Sequence, residues 1–128
     1  MPLDKPDYPR YSERNLLEAL QDSPVVLIHG SRQCGKSTLA RYVGQQKSYH
    51  YISFDDDNQL LAARTDPIGF VQDLPDKTIL DEIQRAPELF TSLKSSVDNN
   101  RRPGRFILTG SANVLLLPGL SDSLAGRM

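Results

Sequence analysis

The 128-residue chain lacks several features that define whole classes of protein. A single cysteine, Cys34, excludes an intrachain disulfide and a metal site built from several cysteines. The two histidines, His29 and His50, lack metal-ligand spacing. No apolar run approaches the roughly 20 residues that span a bilayer. The first residues also lack the apolar segment of a signal peptide, so we expect a cytoplasmic protein with no membrane contact.

An excess of charge of one sign is also missing. The net charge is −1, which gives no global attraction to nucleic acid or to an anionic membrane. A small basic cluster, Arg101, Arg102 and Arg105, has no interleaved aromatic residues and is best explained as a solvated turn. Length and composition suit one globular domain over residues 1–128, with an extended lead-in at residues 1–10.

What the chain does contain is an alternation of strand and helix patterns. Strand patterns occur near residues 25–29, 49–54, 78–80 and 106–109. Helix patterns occur at 12–20, with Ser12 as the cap, and at 36–43, ending at Gly44. Further helix patterns run from 55–57 to before Asp66-Pro67, and at 68–74 and 87–97. The tail from Val114 is helical or irregular. This alternation predicts βαβ crossovers and an α/β fold, in which helices cover both faces of a mainly parallel sheet as a three-layer αβα sandwich.

The most informative stretch directly follows the first strand. It reads Gly30-Ser31-Arg32-Gln33-Cys34-Gly35-Lys36-Ser37 and fits the phosphate-binding pattern G-x-x-x-x-G-K-[ST] at every fixed position. Such a loop binds phosphate through backbone N–H groups and the N-terminus of the next helix. Lys36 offers a charge to the terminal phosphates, and the Ser37 hydroxyl is a suitable Mg²⁺ ligand. We therefore predict nucleotide binding by residues 30–38, which include Thr38.

A second constellation ends the third strand. Ile79-Leu80-Asp81-Glu82 brings two carboxylates to the edge of the sheet where the phosphates are expected. Asp81 can hold Mg²⁺ opposite Ser37, through water, and Glu82 can orient or deprotonate an attacking water. Thr109 ends the fourth strand and can contact the γ-phosphate or that water, although its hydroxyl can equally serve to satisfy the strand end. The predicted catalytic residues are thus Lys36, Glu82 and Thr109, and the predicted metal ligands are Ser37 and Asp81.

With these residues in place, the chain resembles the AAA-type P-loop ATPases. More specifically, it is similar to a bacterial and archaeal group of uncharacterised ATPases that often carry a C-terminal domain of unknown function. The similar stretches are 8–10, 25–41, 51–55, 79–84 (ILDEIQ), 108–111 (LTGS) and 124–127 (LAGR). The resemblance implies a P-loop NTPase fold, binding of ATP and Mg²⁺ and hydrolysis through Lys36, Ser37, Asp81 and Glu82. It also suggests Thr109 as a sensor residue.

The resemblance further implies the strand order 5-1-4-3-2, of which four strands are recognisable. We therefore expect the N-terminal portion of the ATPase domain, truncated after the fourth strand, with one unpaired edge at residues 25–28. An exposed apolar edge favours pairing with another chain, so a homo-oligomer or a protein partner is expected to cover it. Arg127 is either an arginine finger for a neighbouring subunit or a solvated terminal residue.

The leading interpretation is Mg²⁺-dependent ATP hydrolysis, with turnover that truncation can impair. One alternative is a nucleotide-binding regulatory or interaction module without significant turnover. A nucleic-acid-dependent ATPase rests only on the arginine cluster and on superfamily analogy, and a small-molecule kinase comes last. Nucleic acid is therefore not indicated as a partner.

Overall fold

The computed structural model describes residues 10–30, 35–117 and 119–120, in which helices and strands alternate. The helices are α1 (Arg10–Asp22), α2 (Lys36–Lys47), α3 (Asp57–Thr65), α4 (Pro67–Gln72) and α5 (Leu89–Asn99). The strands are β1 (Val25–His29), β2 (His50–Ser53), β3 (Thr78–Asp81) and β4 (Phe106–Gly110). Two short 3₁₀ helices, Ile83–Arg85 and Ala112–Leu116, follow β3 and β4.

The four strands form one parallel sheet in the order β1-β4-β3-β2. Parallel neighbours need long crossover connections, and helices provide them between each consecutive pair of strands. The predicted α/β fold with a parallel sheet is therefore confirmed. The order also agrees with the corresponding part of 5-1-4-3-2, and among the described residues β1 lies at an edge of the sheet, as expected.

Apolar residues cover both faces of the sheet. On one face, Leu16, Leu39 and Val43 of α1 and α2 form a buried cluster with Ile79 and Ile107. The other face carries a larger cluster, to which α3, α4 and α5 contribute. Its members include Leu60, Val71, Phe90, Leu93, Leu80, Phe106 and Leu108. Successive residues of β3 and β4 thus point to opposite helix layers, which gives the predicted three-layer arrangement.

The prediction that α2 ends at Gly44 is wrong. The helix continues to Lys47, and Ser48 ends it in the left-handed conformation (φ 63°), with its N–H bonded to the Gly44 carbonyl. Gly44 is buried inside the helix, where an added Cβ would overlap the Ile79 side chain. The absence of a side chain at this position therefore serves close packing of α2 on β3 rather than chain termination.

Other element boundaries differ by a few residues. The first helix begins at Arg10, so Ser12 lies within it and is not its cap, and it ends at Asp22 before Ser23-Pro24, where proline disfavours helix. Strand β2 is shorter than the predicted 49–54, and α5 spans Leu89–Asn99 rather than 87–97. The acidic start of α3 is confirmed, because Asp56 caps the helix by accepting the Asn58 N–H at 2.9 Å.

In the part of the chain that the structure describes, no helix combines the length and the apolar character needed to cross a membrane.

Candidate functional site

The predicted site residues converge at the carboxyl ends of β1, β3 and β4. Gly30 and Gly35 both adopt positive φ angles, 151° and 78°, which a residue with a Cβ rarely adopts. The Gly30 N–H donates to the Gly110 carbonyl at 3.2 Å and fixes the end of β1 against β4. Helix α2 then starts at Lys36. Thr38 lies exposed in its first turn, and Ser31, Arg32, Gln33 and Cys34 lie outside the described residues.

Lys36 and Glu82 form a buried ion pair. The Lys36 ammonium lies 3.0 Å from Glu82 Oε1, and the two side chains are only 3% and 8% exposed. The second carboxylate oxygen, Oε2, accepts a hydrogen bond of 2.7 Å from Gln84 Nε2. Both oxygens of Glu82 therefore have a donor, and one of those donors is the lysine of the phosphate-binding pattern.

Asp81 is buried among three hydroxyl groups. Ser37 Oγ donates to Asp81 Oδ1 at 2.7 Å, and Thr109 Oγ1 donates to the same oxygen. Tyr51 Oη donates to Oδ2 at 2.6 Å. The predicted metal ligands Ser37 and Asp81 are thus in direct contact. Their hydroxyl and carboxylate oxygens are donors of the kind that Mg²⁺ prefers.

Thr109 connects the two carboxylate residues. Besides its bond to Asp81, its Oγ1 accepts the backbone N–H of Glu82 at 3.0 Å. Glu82 has left-handed backbone angles (φ 60°, ψ 49°), which are unfavourable for a residue with a side chain. The Thr109 hydroxyl therefore stabilises an uncommon turn at which successive carboxylates reach different partners, Asp81 to Ser37 and Glu82 to Lys36.

Tyr51 is a site residue that the sequence did not identify. Burial, followed by the hydrogen bond to Asp81, raises the pKa of the Tyr51 phenol, so the group remains a donor at neutral pH. The Arg41 guanidinium lies 4.5 Å from the centre of the Tyr51 ring. From the sequence, strand alternation indicates only that Tyr51 and Ser53 share one face of β2. The register, in which Ser53 is the partner of Asp81, comes from the structure.

Gln84 is a second residue that had no predicted role. It follows Glu82 by two positions, within a 3₁₀ helix that begins at the buried Ile83. Its amide oxygen accepts the Ser111 N–H at 3.2 Å, while its amide nitrogen donates to Glu82. The sequence signal was the presence of Gln84 in the stretch 79–84 (ILDEIQ), which carries the family resemblance.

The predicted arginine cluster does not form a common surface. Arg101 pairs with Asp98 at 3.6 Å, and Arg102 pairs with Asp76, both on the exterior. Arg105 is buried instead and donates to the carbonyls of Ser96 and Asn100, at 2.7 and 3.0 Å. Burial lowers the pKa of Arg105, against the opposing effect of Asp76. The interpretation as a solvated turn is therefore wrong for Arg105, which holds the C-terminal end of α5.

The remaining candidates from the sequence are His29 and Arg127. His29 is exposed at the end of β1. Among residues 10–30, 35–117 and 119–120, no group of three or more His, Cys, Asp or Glu side chains could hold a metal ion. Arg127 lies outside the described residues.

Comparison with known proteins identifies relatives of the chain. A family model described as the AAA domain matches residues 22–128. Two uncharacterised proteins, one from Mycobacterium bovis and one from Mycobacterium tuberculosis, are each 42% identical to the chain over 120 residues. The match covers 93% of this chain but only 27% of either relative. The chain therefore spans about a quarter of the length of the curated relatives it matches.

A solved structure supports the fold. The P-loop NTPase domain of the sigma-54 transport activator from E. coli matches with a TM-score of 0.52 and 21% identity. The match covers 84% of this chain and 96% of that domain. At this level of identity the likeness concerns the fold alone, and the predicted P-loop NTPase fold is confirmed.

Proposed function

The chain belongs to the AAA domain family, and from this premise and the geometry of the site we propose that it binds ATP with Mg²⁺ and hydrolyses it to ADP and phosphate. The observation that carries the proposal is the adjacency of two contacts, Lys36 with Glu82 and Ser37 with Asp81. These contacts place four groups at one edge of the sheet. They are an ammonium group that can bind phosphate, a hydroxyl and a carboxylate that can bind a metal ion, and a second carboxylate that can act on water.

The loop and the N-terminus of α2 are proposed to bind the phosphates. The positive φ angles of Gly30 and Gly35 suit a backbone that turns its N–H groups toward an anion. The N-terminus of α2 adds the positive end of its dipole. Lys36 lies in the first turn of that helix. A change in the rotamer of its side chain therefore moves the ammonium group from Glu82 toward a phosphate bound at the loop.

Ser37 and Asp81 are the residues proposed to hold Mg²⁺. Their oxygens already meet at 2.7 Å, and the predicted pattern of one hydroxyl and one carboxylate leaves the other ligand positions to phosphates and water. A bound Mg²⁺ ion would neutralise negative charge that develops on the transferred phosphoryl group. Tyr51 and Thr109 fix the orientation of the Asp81 carboxylate for this task.

Glu82 is proposed to act on the attacking water. Once Lys36 turns to the phosphates, Oε1 of Glu82 loses its ammonium partner and can accept a hydrogen bond from water instead. The Thr109 hydroxyl holds the Glu82 backbone, and this contact keeps the carboxylate in place while its partner changes.

A homo-oligomer or protein partner at the β1 edge and a cytoplasmic location stay predictions.

The test compares ATP binding and phosphate release in wild-type protein and in Lys36→Ala, Glu82→Gln and Glu18→Gln variants. We expect Lys36→Ala to lose ATP affinity, and Glu82→Gln to bind ATP but to lose about 10²- to 10⁴-fold in turnover. Glu18 is exposed on α1, so Glu18→Gln is the matched control and should behave as wild type. ATP binding without phosphate release above the Glu82→Gln level would favour the regulatory module instead.

A further inference from the structure

The Gln84 side chain joins Glu82 to the segment that follows β4. Its Nε2 donates to Glu82 Oε2 at 2.7 Å, and its Oε1 accepts the Ser111 N–H at 3.2 Å. The carboxylate needs a donor and the backbone N–H needs an acceptor, so only one orientation of the amide satisfies both partners. Gln84 is therefore fixed at both ends, and its orientation follows from the chemistry of its neighbours.

The two oxygens of Glu82 consequently differ in what holds them. Oε1 faces the Lys36 ammonium, a cation that a bound phosphate attracts. Oε2 faces the amide of Gln84, a neutral group with no comparable attraction to phosphate. A phosphate that attracts Lys36 would therefore release Oε1 and leave Oε2 bonded.

We propose that Gln84 is a positioning residue for hydrolysis, which holds Oε2 of Glu82 so that Oε1 is the atom presented to the attacking water. This inference rests on the proposed function. It specifies that a neutral donor is needed at position 84, and that the donor acts on the orientation of the carboxylate rather than on nucleotide binding.

The surroundings make this positioning rigid. Strand β4 is buried along its whole length, and it supplies Thr109, which holds the Glu82 N–H. Ser111 directly follows the strand and holds Gln84. One segment thus fixes both the backbone and, through Gln84, the carboxylate of Glu82. Fixing a catalytic group before the reaction removes reorganisation from the reaction step.

The experiment measures kcat, KM and ATP affinity for Gln84→Glu, Gln84→Ala and the control Gln46→Leu. A glutamate at position 84 can still accept the Ser111 N–H, but its carboxylate cannot donate to Glu82. We expect kcat for phosphate release to fall at least about tenfold in both Gln84 variants. The ATP affinity of Gln84→Ala should stay within about twofold, because no contact to phosphate is lost and no charge is added. Gln84→Glu adds a negative charge, so its kcat is measured at saturating ATP. Gln46 is exposed on α2, and its variant should match wild type.

The Gln84→Glu variant separates positioning from a structural role. If Gln84 only anchored the turn through Ser111, this variant would keep the wild-type kcat, and the inference would be overturned. Thermal unfolding of each variant shows whether a loss of kcat comes with a loss of folded protein. A Gln84→Ala variant that does not fold would leave Gln84→Glu to decide the question.

Failure of the two proposals gives different results. Wild-type protein that releases no phosphate would overturn hydrolysis and this inference together. Wild-type turnover that Glu82→Gln removes and that neither Gln84 variant lowers would overturn the inference alone.

Discussion

The Lys36 ammonium and the Glu82 carboxylate lie 3.0 Å apart, and both are almost completely buried. Each charge has lost most of its hydration and depends on the other for compensation. Such a pair is costly to break from one side only, because the remaining charge stays buried without a partner. Within the site, the same contact holds together the lysine proposed to bind phosphate and the carboxylate proposed to act on water.

The first prediction concerns the stability of this pair. Without nucleotide, Lys36→Met and Glu82→Leu should each lower the free energy of unfolding by about 3–5 kcal/mol. The double variant should cost clearly less than the sum, because it leaves no unpaired buried charge. Urea unfolding measures all three, with Arg101→Met as control. The exposed Arg101 pair should contribute at most about 1 kcal/mol. Additive costs for the Lys36 and Glu82 variants would contradict the prediction.

The second prediction concerns Tyr51 and the metal. Tyr51→Phe removes the donor to Asp81 Oδ2, so that only the contacts at Oδ1 still orient this carboxylate. We expect the Mg²⁺ concentration for half-maximal phosphate release to rise about tenfold, while ATP binding in the presence of a chelator stays unchanged. Tyr49→Phe is the matched control, because Tyr49 Oη bonds to Gly104, beyond the opposite end of the strands. An unchanged Mg²⁺ dependence in Tyr51→Phe would count against a role of Tyr51 in the metal site.

Much of the site could be predicted from sequence because parallel strands bring their carboxyl ends to one edge. Once residues 25–29 and 78–80 were assigned to strands, the loop at Gly30 and the carboxylates at Asp81 and Glu82 were expected to lie near each other. Their contact through Lys36 and Ser37 in the structure follows from that topology. Alternation of strand and helix patterns likewise fixed the fold class.

The contacts of Tyr51, Gln84 and Arg105 could not be obtained in this way. Tyr51 meets Asp81 through the register of β2 and β3, and register is a long-range property. The contact of Gln84 depends on the left-handed turn at Glu82. A glutamate in the sequence does not predict such a backbone conformation, whereas a glycine would suggest it. Gly44 packs against Ile79 of the distant strand β3, and Arg105 folds back onto carbonyls at the end of the preceding helix. Local patterns assigned these two residues instead to a helix end and a surface turn.

The third prediction concerns Gly110, at the end of β4. A Cβ there would lie 2.8–3.1 Å from three side-chain carbons of Val114, and this β-branched side chain is stiff. Gly110→Ala should therefore destabilise the protein by about 1–3 kcal/mol, as measured by urea unfolding. Val114→Ala removes two of these three carbons, Cγ1 and Cγ2, and keeps Cβ, at the cost of a cavity. The double variant should still be more stable than the sum of the two single changes predicts. Strict additivity would show that the two Cγ carbons do not carry the overlap.

The fourth prediction concerns stability at alkaline pH. Burial raises the pKa of Tyr49 above its ordinary value of 10.0, and its hydroxyl donates to the Gly104 carbonyl at 2.5 Å. Below pH 10, the phenol is protonated in both states and contributes fully to stability. Above it, the unfolded chain releases the proton first, so the free energy of unfolding falls as pH rises toward the pKa of the folded state.

Tyr49→Phe checks this prediction, because phenylalanine neither donates the hydrogen bond nor titrates. At neutral pH the variant should be less stable than wild type by about 0.5–1.5 kcal/mol, the usual contribution of one hydrogen bond. This difference should shrink as the pH rises above 10, because only the wild type loses stability through Tyr49. Urea unfolding of both proteins from pH 7 to 11 gives the comparison. Curves that stay parallel across that range would show that Tyr49 ionises equally in the folded and unfolded states.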